Sequence, residues 1–347
     1  MKTCYLGTGA YTGDVSQRGW PIPPEQCGRE EAARSMETAV ARYVMAEEAG
    51  FDWISISEHH YSPGLMTPNP AILGAAVSQK TSRVKIALLG PLVPLINPVR
   101  AAEEIAMLDA LSNGRVVVLF LKGTPNEHAT YGTNPAETRE ITQEGVQLIR
   151  RAWTEPQAFS WEGKYFRYRT VSVWPRTVQD PHPPIFYSGN SEESAIFAGH
   201  NGLSIAIGFA PPPRVAAQVE IYRKACREAG WEPTHDNVLY RGRMIIGETD
   251  DAANEIANAM AAGPNARASA PGAAPGGNAP AGAGGGDPTS GAAGVQFLGG
   301  VESVVKKARQ LHDAGVGILD VAFAGGGQRR SFELFGRKFA PALADIG

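Results

Sequence analysis

The sequence predicts a (β/α)8 barrel, the TIM-barrel fold, and three observations lead to this fold class. Eight short apolar runs alternate along the chain with longer amphipathic stretches of helical period. The runs are continuously apolar, which is typical of parallel strands that are buried on both faces. The chain has 347 residues, and one barrel routinely exceeds ~200 residues as a single domain. We therefore expect one barrel domain over residues 1–347, with insertions.

The predicted strands and helices alternate along the chain, as a barrel requires. Strands are predicted at 4–8, 52–57, 84–89, 115–120, 184–188, 203–207, 238–246 and 317–323. Helices are predicted at 29–49, 68–80, 98–111, 137–153, 191–199, 211–229, 250–260 and 301–314, with a last one at 331–342. A doubly wound sheet is the alternative, but GTGAYTG at 7–13 lacks the glycine spacing of a dinucleotide-binding loop.

Two segments are predicted to be insertions in this pattern. FSWEGKYFRY at 159–168 predicts a β-hairpin that turns at Glu162-Gly163. Residues 261–294 contain 27 Gly, Ala or Pro among 34 residues and no aromatic side chain. Such a composition cannot bury enough apolar surface to offset the chain entropy lost on ordering. We expect a flexible or disordered insertion there, either a surface loop or a mobile lid over the barrel mouth.

Composition and charge narrow the class of protein. The net charge is −3 and no cluster of Lys and Arg is present, so nucleic acid is not an expected partner. Cys4, Cys27 and Cys226 form no CxxC pattern, which argues against a zinc knuckle or a disulfide framework. The chain shows no signal-peptide pattern, and its longest apolar run, 116–121, is too short for a bilayer. We expect a cytoplasmic protein without a membrane partner.

The stretch SEHHYSPG at 57–64 follows the second predicted strand and is the first candidate for chemistry. The C-terminal ends of barrel strands form the active-site mouth, so Glu58, His59 and His60 are predicted to lie there. A metal site, acid–base catalysis and a purely structural role are the three alternatives. Neighbouring side chains on an extended chain diverge, and no HxH or HExxH pattern is present, which disfavours a metal. An imidazole suits proton transfer near neutral pH.

Two further candidates follow the fifth and fourth predicted strands. The fifth strand runs into SGNSEES, where Ser191 predicts a helix N-cap and Ser194 stands three residues later. Hydroxyl and free N–H groups at a helix start suit a phosphate, although an ordinary cap has the same pattern. Lys122 follows the fourth strand beside a glycine. It is either a charge partner for an anionic cofactor or a solvated surface lysine.

Four stretches of the chain together resemble the bacterial luciferase-like, flavin-dependent monooxygenases. They are FDWISISEHHYSPG, PNPAILGAAVSQKTSRVKIALLGPLVPLINPVRAAEEIAMLDALSNGR, KGTPNE and PPIFYSGNSEESAIFAGHNG. The similarity runs from about residue 1 to 250 and resumes near Gln296. The resemblance implies a (β/α)8 barrel that binds reduced FMN at its mouth. It also implies that a separate flavin reductase supplies the FMN, that a C4a-peroxyflavin forms with O2, and that a small organic substrate is oxygenated.

The resemblance also implies roles for individual residues. His59 matches the catalytic histidine, and Lys122 matches a basic residue, often arginine, that reaches the flavin phosphate. Leu89-Gly90 match the position where the family often has a non-prolyl cis peptide. The cofactor-binding positions so implied are Glu58, Leu89, Gly90, Lys122, Gly189, Asn190, Ser191 and Ser194. His60 and Tyr61 are expected to contact the substrate or to orient His59. Lysine in place of arginine offers the phosphate a point charge where arginine would offer a fork.

Two alternative functions share this resemblance. One is a deazaflavin-dependent oxidoreductase of the same fold, which transfers hydride and does not use oxygen. The other is a non-catalytic flavin-binding homologue. The retained EHH stretch, Lys122 and the serine pair favour an active FMN enzyme. A homodimer is expected because relatives commonly dimerise, and no resident metal is expected.

Overall fold

Eleven strands are present in the computed structural model, which describes residues 1–7, 9–16, 20–262, 295–325 and 328–346. Their bounds are β1 (Lys2–Gly7), β2 (Trp53–Ile56), β3 (Lys85–Leu92), β4 (Val116–Leu121), β5 (Phe159–Glu162), β6 (Arg167–Val171), β7 (Ile185–Ser188), β8 (Ser204–Gly208), β9 (Val238–Ile246), β10 (Phe297–Gly299) and β11 (Ile318–Phe323). Eight of them pair in parallel in the order β1-β2-β3-β4-β7-β8-β9-β11, and β11 pairs with β1. This closed parallel sheet confirms the predicted barrel.

Helices follow the barrel strands and surround them. Their bounds are α1 (Arg29–Glu48), α2 (Pro70–Ser78), α3 (Pro98–Leu111), α4 (Pro125–Tyr131), α5 (Thr138–Thr154), α6 (Glu192–His200), α7 (Pro212–Glu228), α8 (Asp250–Ala262), α9 (Val301–Asp313), α10 (Gln328–Leu334) and α11 (Ala340–Ala344). A π-helical turn, Phe335–Phe339, joins α10 to α11, and 3-10 turns occupy Pro24–Gln26, Val93–Leu95 and His235–Asn237. Within the described ranges, no helix is long and apolar enough to cross a membrane.

The structure departs from the predicted elements in three places. The hairpin β5–β6 forms as predicted, but α4 and the short strand β10, which pairs with β9, were not predicted. The last helix is longer than expected and is interrupted by the π-helical turn. Of the predicted insertion at 261–294, the first two residues end α8, and the remainder lies outside the described residues. The single-domain assignment stays a prediction.

Both faces of the barrel strands are buried, which explains their continuously apolar runs. The inward faces pack against one another inside the barrel; these residues are Cys4, Ala87, Leu89, Val117, Leu119, Phe186, Ala206, Leu239 and Ile318, with the partly buried Trp53 and Leu121 packed against them. The outward faces pack against the helices in a larger core. The filled barrel interior leaves the loops at the strand ends free to form a site.

Asparagine–proline pairs begin the two helices that flank the predicted mouth. Asn69 caps α2 by accepting hydrogen bonds from the Ala71 and Ile72 N–H groups, and Asn97 caps α3 in the same way. Proline then occupies the first helical position, where its missing N–H costs nothing. These caps set where the chain leaves β2 and β3 and turns back along the barrel.

Candidate active site

The predicted site residues lie at one end of the barrel, where the carboxyl ends of the parallel strands meet. His59 stands three residues beyond the end of β2. Lys122 directly follows β4, and Ser191 follows β7 as the N-cap of α6. The strand order β2-β3-β4-β7 places these three loops beside one another around one side of the mouth.

His59 is paired with a carboxylate that the sequence analysis did not single out. Its Nδ1 lies 3.1 Å from Oε1 of Glu127 on α4. The His59 side chain is 34% exposed, whereas Glu127 is almost fully buried. The other Glu127 oxygen, Oε2, accepts the Thr124 N–H at 2.7 Å, which fixes the carboxylate at the start of the helix. The pair therefore joins the loop after β2 to the loop after β4 across the mouth.

The charge state of Glu127 determines what His59 can do. Burial disfavours the charged carboxylate, but the hydrogen bonds from His59 and from the Thr124 N–H outweigh it, so the pKa of Glu127 lies below its ordinary value. An ionised carboxylate only accepts hydrogen bonds, so His59 Nδ1 carries the proton that it donates to Glu127. The second ring nitrogen, Nε2, is then left to accept or release a proton on the exposed side of the ring.

A second, more buried chain of hydrogen bonds runs beside this pair. His60 Nε2 lies 3.2 Å from Glu58 Oε1, and His60 Nδ1 lies 3.1 Å from the Tyr131 hydroxyl. Glu58 Oε2 accepts the Leu92 N–H at 3.2 Å. Burial raises the pKa of Glu58 above its ordinary value, against the opposing effects of His60 and the Leu92 N–H. Both Glu58 oxygens and both His60 nitrogens are thus engaged within the chain.

Tyr61 ends the EHHY stretch in a different environment. Its φ is 55° and its side chain is largely exposed, with its ring 6.3 Å from the ring of Trp20. A positive φ is uncommon for a bulky residue and turns the chain sharply after His60. Tyr61 and Tyr131, another largely exposed aromatic residue, therefore present their rings at the surface of the mouth.

The N-terminus of α6 carries the serine pair as the sequence predicted. Ser191 Oγ accepts the Ser194 N–H at 3.3 Å, and the two hydroxyl oxygens are 3.0 Å apart. The preceding turn is fixed by Asn190 Oδ1, which accepts the Gly208 N–H at 2.9 Å. Gly189 packs on β8 so closely that a Cβ would lie 3.0 Å from the Ile207 side chain. Both hydroxyls and the first N–H groups of the helix are thereby held in one place.

Basic side chains surround this helix start, and one of them was not predicted. Arg139 on α5 lies 3.6 Å from Glu193 in the first turn of α6. The pKa of Glu193 is lowered by a backbone hydrogen bond, by the Ser191 hydroxyl and by the positive charges of Arg139 and Lys122. Lys122 is exposed, and the following Gly123 has a φ of 84° that turns the chain away from the barrel. The positive charges of Arg139 and Lys122 therefore act on the first turn of α6.

In the barrel sheet, β3 lies between β2 and β4, so its carboxyl end lies between the loops that carry His59 and Lys122; this strand end is called the floor of the mouth below. The Leu89–Gly90 peptide bond is cis. A Cβ on Gly90 would lie 1.9 Å from the Leu119 carbonyl oxygen of β4, so only glycine fits this close approach of two backbones. In the parts of the chain that the structure describes, no group of three or more His, Cys, Asp or Glu side chains could hold a metal ion.

Comparison with known proteins defines the class to which this fold and mouth belong. Residues 17–317 match the family model for luciferase-like monooxygenases, and the chain belongs to this family. One relative is the alkanal monooxygenase alpha chain of Photorhabdus luminescens, 26% identical over 188 residues, which are 54% of this chain and 52% of the relative. Another is the oxygenase component of a flavin-dependent trigonelline monooxygenase from Acinetobacter baylyi, 25% identical over 166 residues, which are 47% and 46% of the two chains. The matched regions thus span about half the length of these relatives.

Solved structures share the fold over nearly the whole chain. The monooxygenase RslO1 of Streptomyces bottropensis gives a TM-score of 0.78 at 22% identity and covers 98% of this chain and 99% of its own. The oxygenating constituent of 3,6-diketocamphane monooxygenase from Pseudomonas putida, in complex with FMN, gives a TM-score of 0.74 at 21% identity. This match covers 99% of the present chain and 98% of the solved one. An F420-dependent secondary alcohol dehydrogenase gives a TM-score of 0.73 at 16% identity, and the match covers 99% of each chain. At these identities the likeness concerns the fold.

Proposed function

We propose that this protein is a flavin-dependent monooxygenase that uses reduced FMN and O2 to oxygenate a small organic substrate. The observation that carries the proposal is the His59–Glu127 pair, 3.1 Å apart, at the same barrel mouth as the N-terminus of α6. A proton-transferring imidazole and an anion-binding helix start are the two groups that such an enzyme requires from its chain. Membership of the luciferase-like monooxygenase family supports the same function.

The residues of the mouth fit the parts of FMN. The Ser191 and Ser194 hydroxyls, the free N–H groups of α6, and the Arg139 and Lys122 cations suit a terminal phosphate. Arg139 supplies the planar fork that Lys122 lacks. The glycine at 90 leaves the end of β3 without a side chain, which suits a flat aromatic ring system lying against Leu89 and the backbone. The proposed cofactor-binding residues also include Glu58, Gly189 and Asn190, which shape the walls of the mouth.

The chain's own residues then supply binding, orientation and proton transfer. Reduced flavin, when bound, supplies the electrons that activate O2. His59 Nε2 accepts or donates the proton that the reaction moves, while Glu127 holds Nδ1–H and keeps the ring in one orientation. His60 and Tyr61 are proposed to contact the substrate. The buried Glu58–His60 pair and Tyr131 hold this part of the mouth in place and help to exclude water.

The phosphate site makes a specific prediction for cofactor binding. Arg139→Gln, and separately Ser191→Ala combined with Ser194→Ala, are expected to weaken FMN binding by about 10-fold or more, because charge-assisted hydrogen bonds to the phosphate are lost. Riboflavin has no phosphate, so its affinity for each variant is expected to stay within about 2-fold of its affinity for the wild type. Flavin fluorescence titration measures both affinities.

Arg227→Gln is the matched control for this measurement. Arg227 is as exposed as Arg139, at 46%, and also pairs with a glutamate, Glu220 at 3.0 Å, but it lies on α7 away from the serine pair. The control should bind FMN like wild type. Equal losses of FMN and riboflavin affinity in the Arg139 variant would contradict phosphate binding at α6.

A deazaflavin-dependent oxidoreductase is the second candidate function. This function is a candidate because an F420-dependent alcohol dehydrogenase has the same fold. Titration of the purified chain with FMN and with F420 separates the two functions, since the tighter ligand identifies the cofactor. A non-catalytic flavin-binding homologue is the third candidate, and it would bind FMN without oxidising any substrate.

The proposed partners follow from the same function. We propose that a separate flavin reductase supplies reduced FMN, in line with a relative that is itself an oxygenase component. Turnover by the purified chain with chemically reduced FMN, in the absence of any reductase, tests this division of labour.

We propose a homodimer because large apolar side chains are exposed at Ile72 on α2 and at Met107 and Leu111 on α3. A monomeric mass in sedimentation velocity would contradict the homodimer. Cytoplasmic location is tested by fractionating cells that express the chain.

A further inference from the structure

The hydrogen bonds of Glu58, His60 and Tyr131 connect the interior of the protein to the surface of the mouth. The side chains of Glu58 and His60 are 5% and 7% exposed, whereas Tyr131 on α4 is 46% exposed. Glu58 Oε1 lies 3.2 Å from His60 Nε2, and His60 Nδ1 lies 3.1 Å from the Tyr131 hydroxyl oxygen. These two contacts join a buried carboxyl group to solvent at the mouth.

The direction of these hydrogen bonds depends on whether the Glu58–His60 pair holds an extra proton. A neutral imidazole donates from one nitrogen and accepts at the other, whereas an ionised carboxylate only accepts. With Glu58 ionised, His60 therefore donates from Nε2–H, and its bare Nδ1 accepts the Tyr131 hydroxyl proton. With one proton more, Nδ1 carries a hydrogen and donates it to the Tyr131 oxygen, whichever member of the coupled pair holds the charge. The Tyr131 hydroxyl proton is then free to be donated at the mouth.

The surroundings of Glu58 accommodate both proton states. Glu58 Oε2 accepts the Leu92 N–H at 3.2 Å, and it accepts this bond whether or not Oε1 carries a proton. Burial raises the pKa of Glu58, and the negative charge of Glu127 adds to this effect, against His60 and the Leu92 N–H. A raised carboxyl pKa suits proton exchange near neutral pH. The titratable groups around the pair are Glu127 and Tyr131 on α4, His59 and Tyr61 in the same loop, and Glu104 on α3, which lines a small cavity with Glu58.

A proton can leave the pair through Tyr131 with little movement of the heavier atoms. The Tyr131 hydroxyl gives its proton to an acceptor at the mouth and takes the Nδ1 proton of His60. His60 keeps a hydrogen on Nε2, where it donates to the ionised Glu58. The pair loses one proton and the acceptor gains one, so the transfer is balanced, and the reverse sequence reloads the pair from solvent.

Tyr131 lies close to the group already assigned to proton transfer. It follows Glu127 by four residues on α4, so both side chains lie on one face of this helix. Partial burial, Tyr61, Glu58 and Glu127 together raise the pKa of the Tyr131 hydroxyl, which keeps it protonated. Two proton-handling contacts, His59 with Glu127 and His60 with Tyr131, therefore meet α4 one turn apart.

We propose that the Glu58–His60 pair stores one proton and that Tyr131 delivers it to the reaction at the mouth. The inference rests on the proposed function and deepens it, because it assigns a source to a proton that the reaction consumes. Anionic reduced FMN, O2, substrate and one proton together yield oxidised FMN, oxygenated substrate and water. A mouth filled by cofactor and substrate excludes water, so this proton has to come from the chain. Tyr131 touches the acceptor, and Glu58 and His60 act through it as positioning residues.

Nitrogen NMR of the purified full chain, isotope-labelled at its histidines and free of flavin, tests the stored proton directly. Loss of one set of signals in His60→Gln identifies His60. As the pH is lowered between about pH 8 and 5, we expect Nδ1 of His60 to change from bare to protonated. In Tyr131→Phe the midpoint is expected to fall by about 0.5–1 pH unit, because the charge-assisted bond donated by Nδ1–H is lost. In Glu58→Gln it is expected to fall by about 1 unit or more, because a buried imidazolium lacks its carboxylate.

Tyr165→Phe is the matched control for Tyr131→Phe. The Tyr165 hydroxyl donates to a surface carboxylate, Glu140 Oε2, at 2.8 Å, and its removal should leave the His60 midpoint unchanged. Circular dichroism checks that each variant is folded. A His60 Nδ1 that keeps one protonation state over this whole pH range, as a purely structural contact would, overturns the proposal. An unchanged midpoint in folded Tyr131→Phe overturns it as well.

Turnover gives a second readout that a structural role would not move. We expect the rate of substrate oxidation to fall as the pH rises through the His60 midpoint, and Tyr131→Phe to be about 10-fold slower without this pH dependence. Wild-type turnover with an unchanged pH profile in Tyr131→Phe would overturn delivery by Tyr131. Because the NMR titration contains no flavin, its outcome is independent of whether the FMN proposal holds.

Discussion

His59→Ala is expected to lower substrate oxidation by about 10²–10⁴-fold, the range that a positioned general acid–base group contributes. The reason is that the variant removes the only nitrogen of the His59–Glu127 pair that is free to move a proton on the exposed side of the ring. Reduced FMN is still expected to bind within a few-fold, because the phosphate site at α6 is unchanged. The measurement is turnover with chemically reduced FMN and O2, with flavin affinity determined on the same preparation.

The controls for this prediction use a second histidine–carboxylate pair. His200 and Glu228 are 3.0 Å apart on the protein surface, so His200→Ala removes the same chemistry away from the mouth and should leave turnover unchanged. Glu127→Gln keeps the shape but weakens the hold on Nδ1–H, and a smaller loss than that of His59→Ala is expected. Turnover by His59→Ala equal to that of wild type would remove His59 from the mechanism.

Gly90→Ala is expected to lower the free energy of unfolding by about 1–3 kcal/mol or more, the cost of overpacking a well-packed interior. A Cβ at this position would lie 1.9 Å from the Leu119 carbonyl oxygen. That oxygen belongs to the backbone of β4, so no change of side-chain rotamer relieves the contact and β3 and β4 must separate. We also expect weaker flavin binding, because the floor of the mouth shifts. Urea unfolding measures the stability change.

Gly64→Ala is the matched control for Gly90→Ala. The nearest atom to a Cβ on Gly64 is the Ser62 hydroxyl oxygen at 3.6 Å, an ordinary contact. This variant should unfold at the same urea concentration as wild type. An unchanged unfolding midpoint for Gly90→Ala would show that the close approach of β3 and β4 is not rigid.

The barrel fold could be predicted because each of its strands and helices has a pattern that is visible within its own stretch of sequence. Each strand is an apolar run of the right length, each helix has its own period, and the strand ends locate the mouth without knowledge of any contact. The placement of His59, Lys122 and Ser191 at one end of the barrel follows from this alternation. Their roles stay predictions until the cofactor and the activity are measured.

The residues that the sequence analysis missed differ in how much of a sequence signal each of them had. Glu127 had a readable signal: Thr124-Pro125-Asn126-Glu127 is a capping-box pattern with proline at the first helical position, and it marks α4. Arg139 had none, because its approach to α6 depends on how α5 packs against the barrel.

Tyr131 had a partial signal. It stands four residues after Glu127 in TPNEHATY, a spacing that places both side chains on one face of a helix. The contact of its hydroxyl with His60 joins residues 71 positions apart. This contact could not be predicted from the sequence, because it depends on how the loops after β2 and β4 meet at the mouth.

The most direct test of the central claim is to bind reduced FMN to the purified chain without oxygen and then to mix the complex with O2. Oxygen uptake and the absorbance of oxidised flavin are recorded together, and reduced F420 is carried through the same procedure. The proposed function predicts that FMN binds more tightly than F420 and that oxygen is consumed before oxidised flavin appears. Preferential binding of reduced F420 with no oxygen uptake would contradict a monooxygenase.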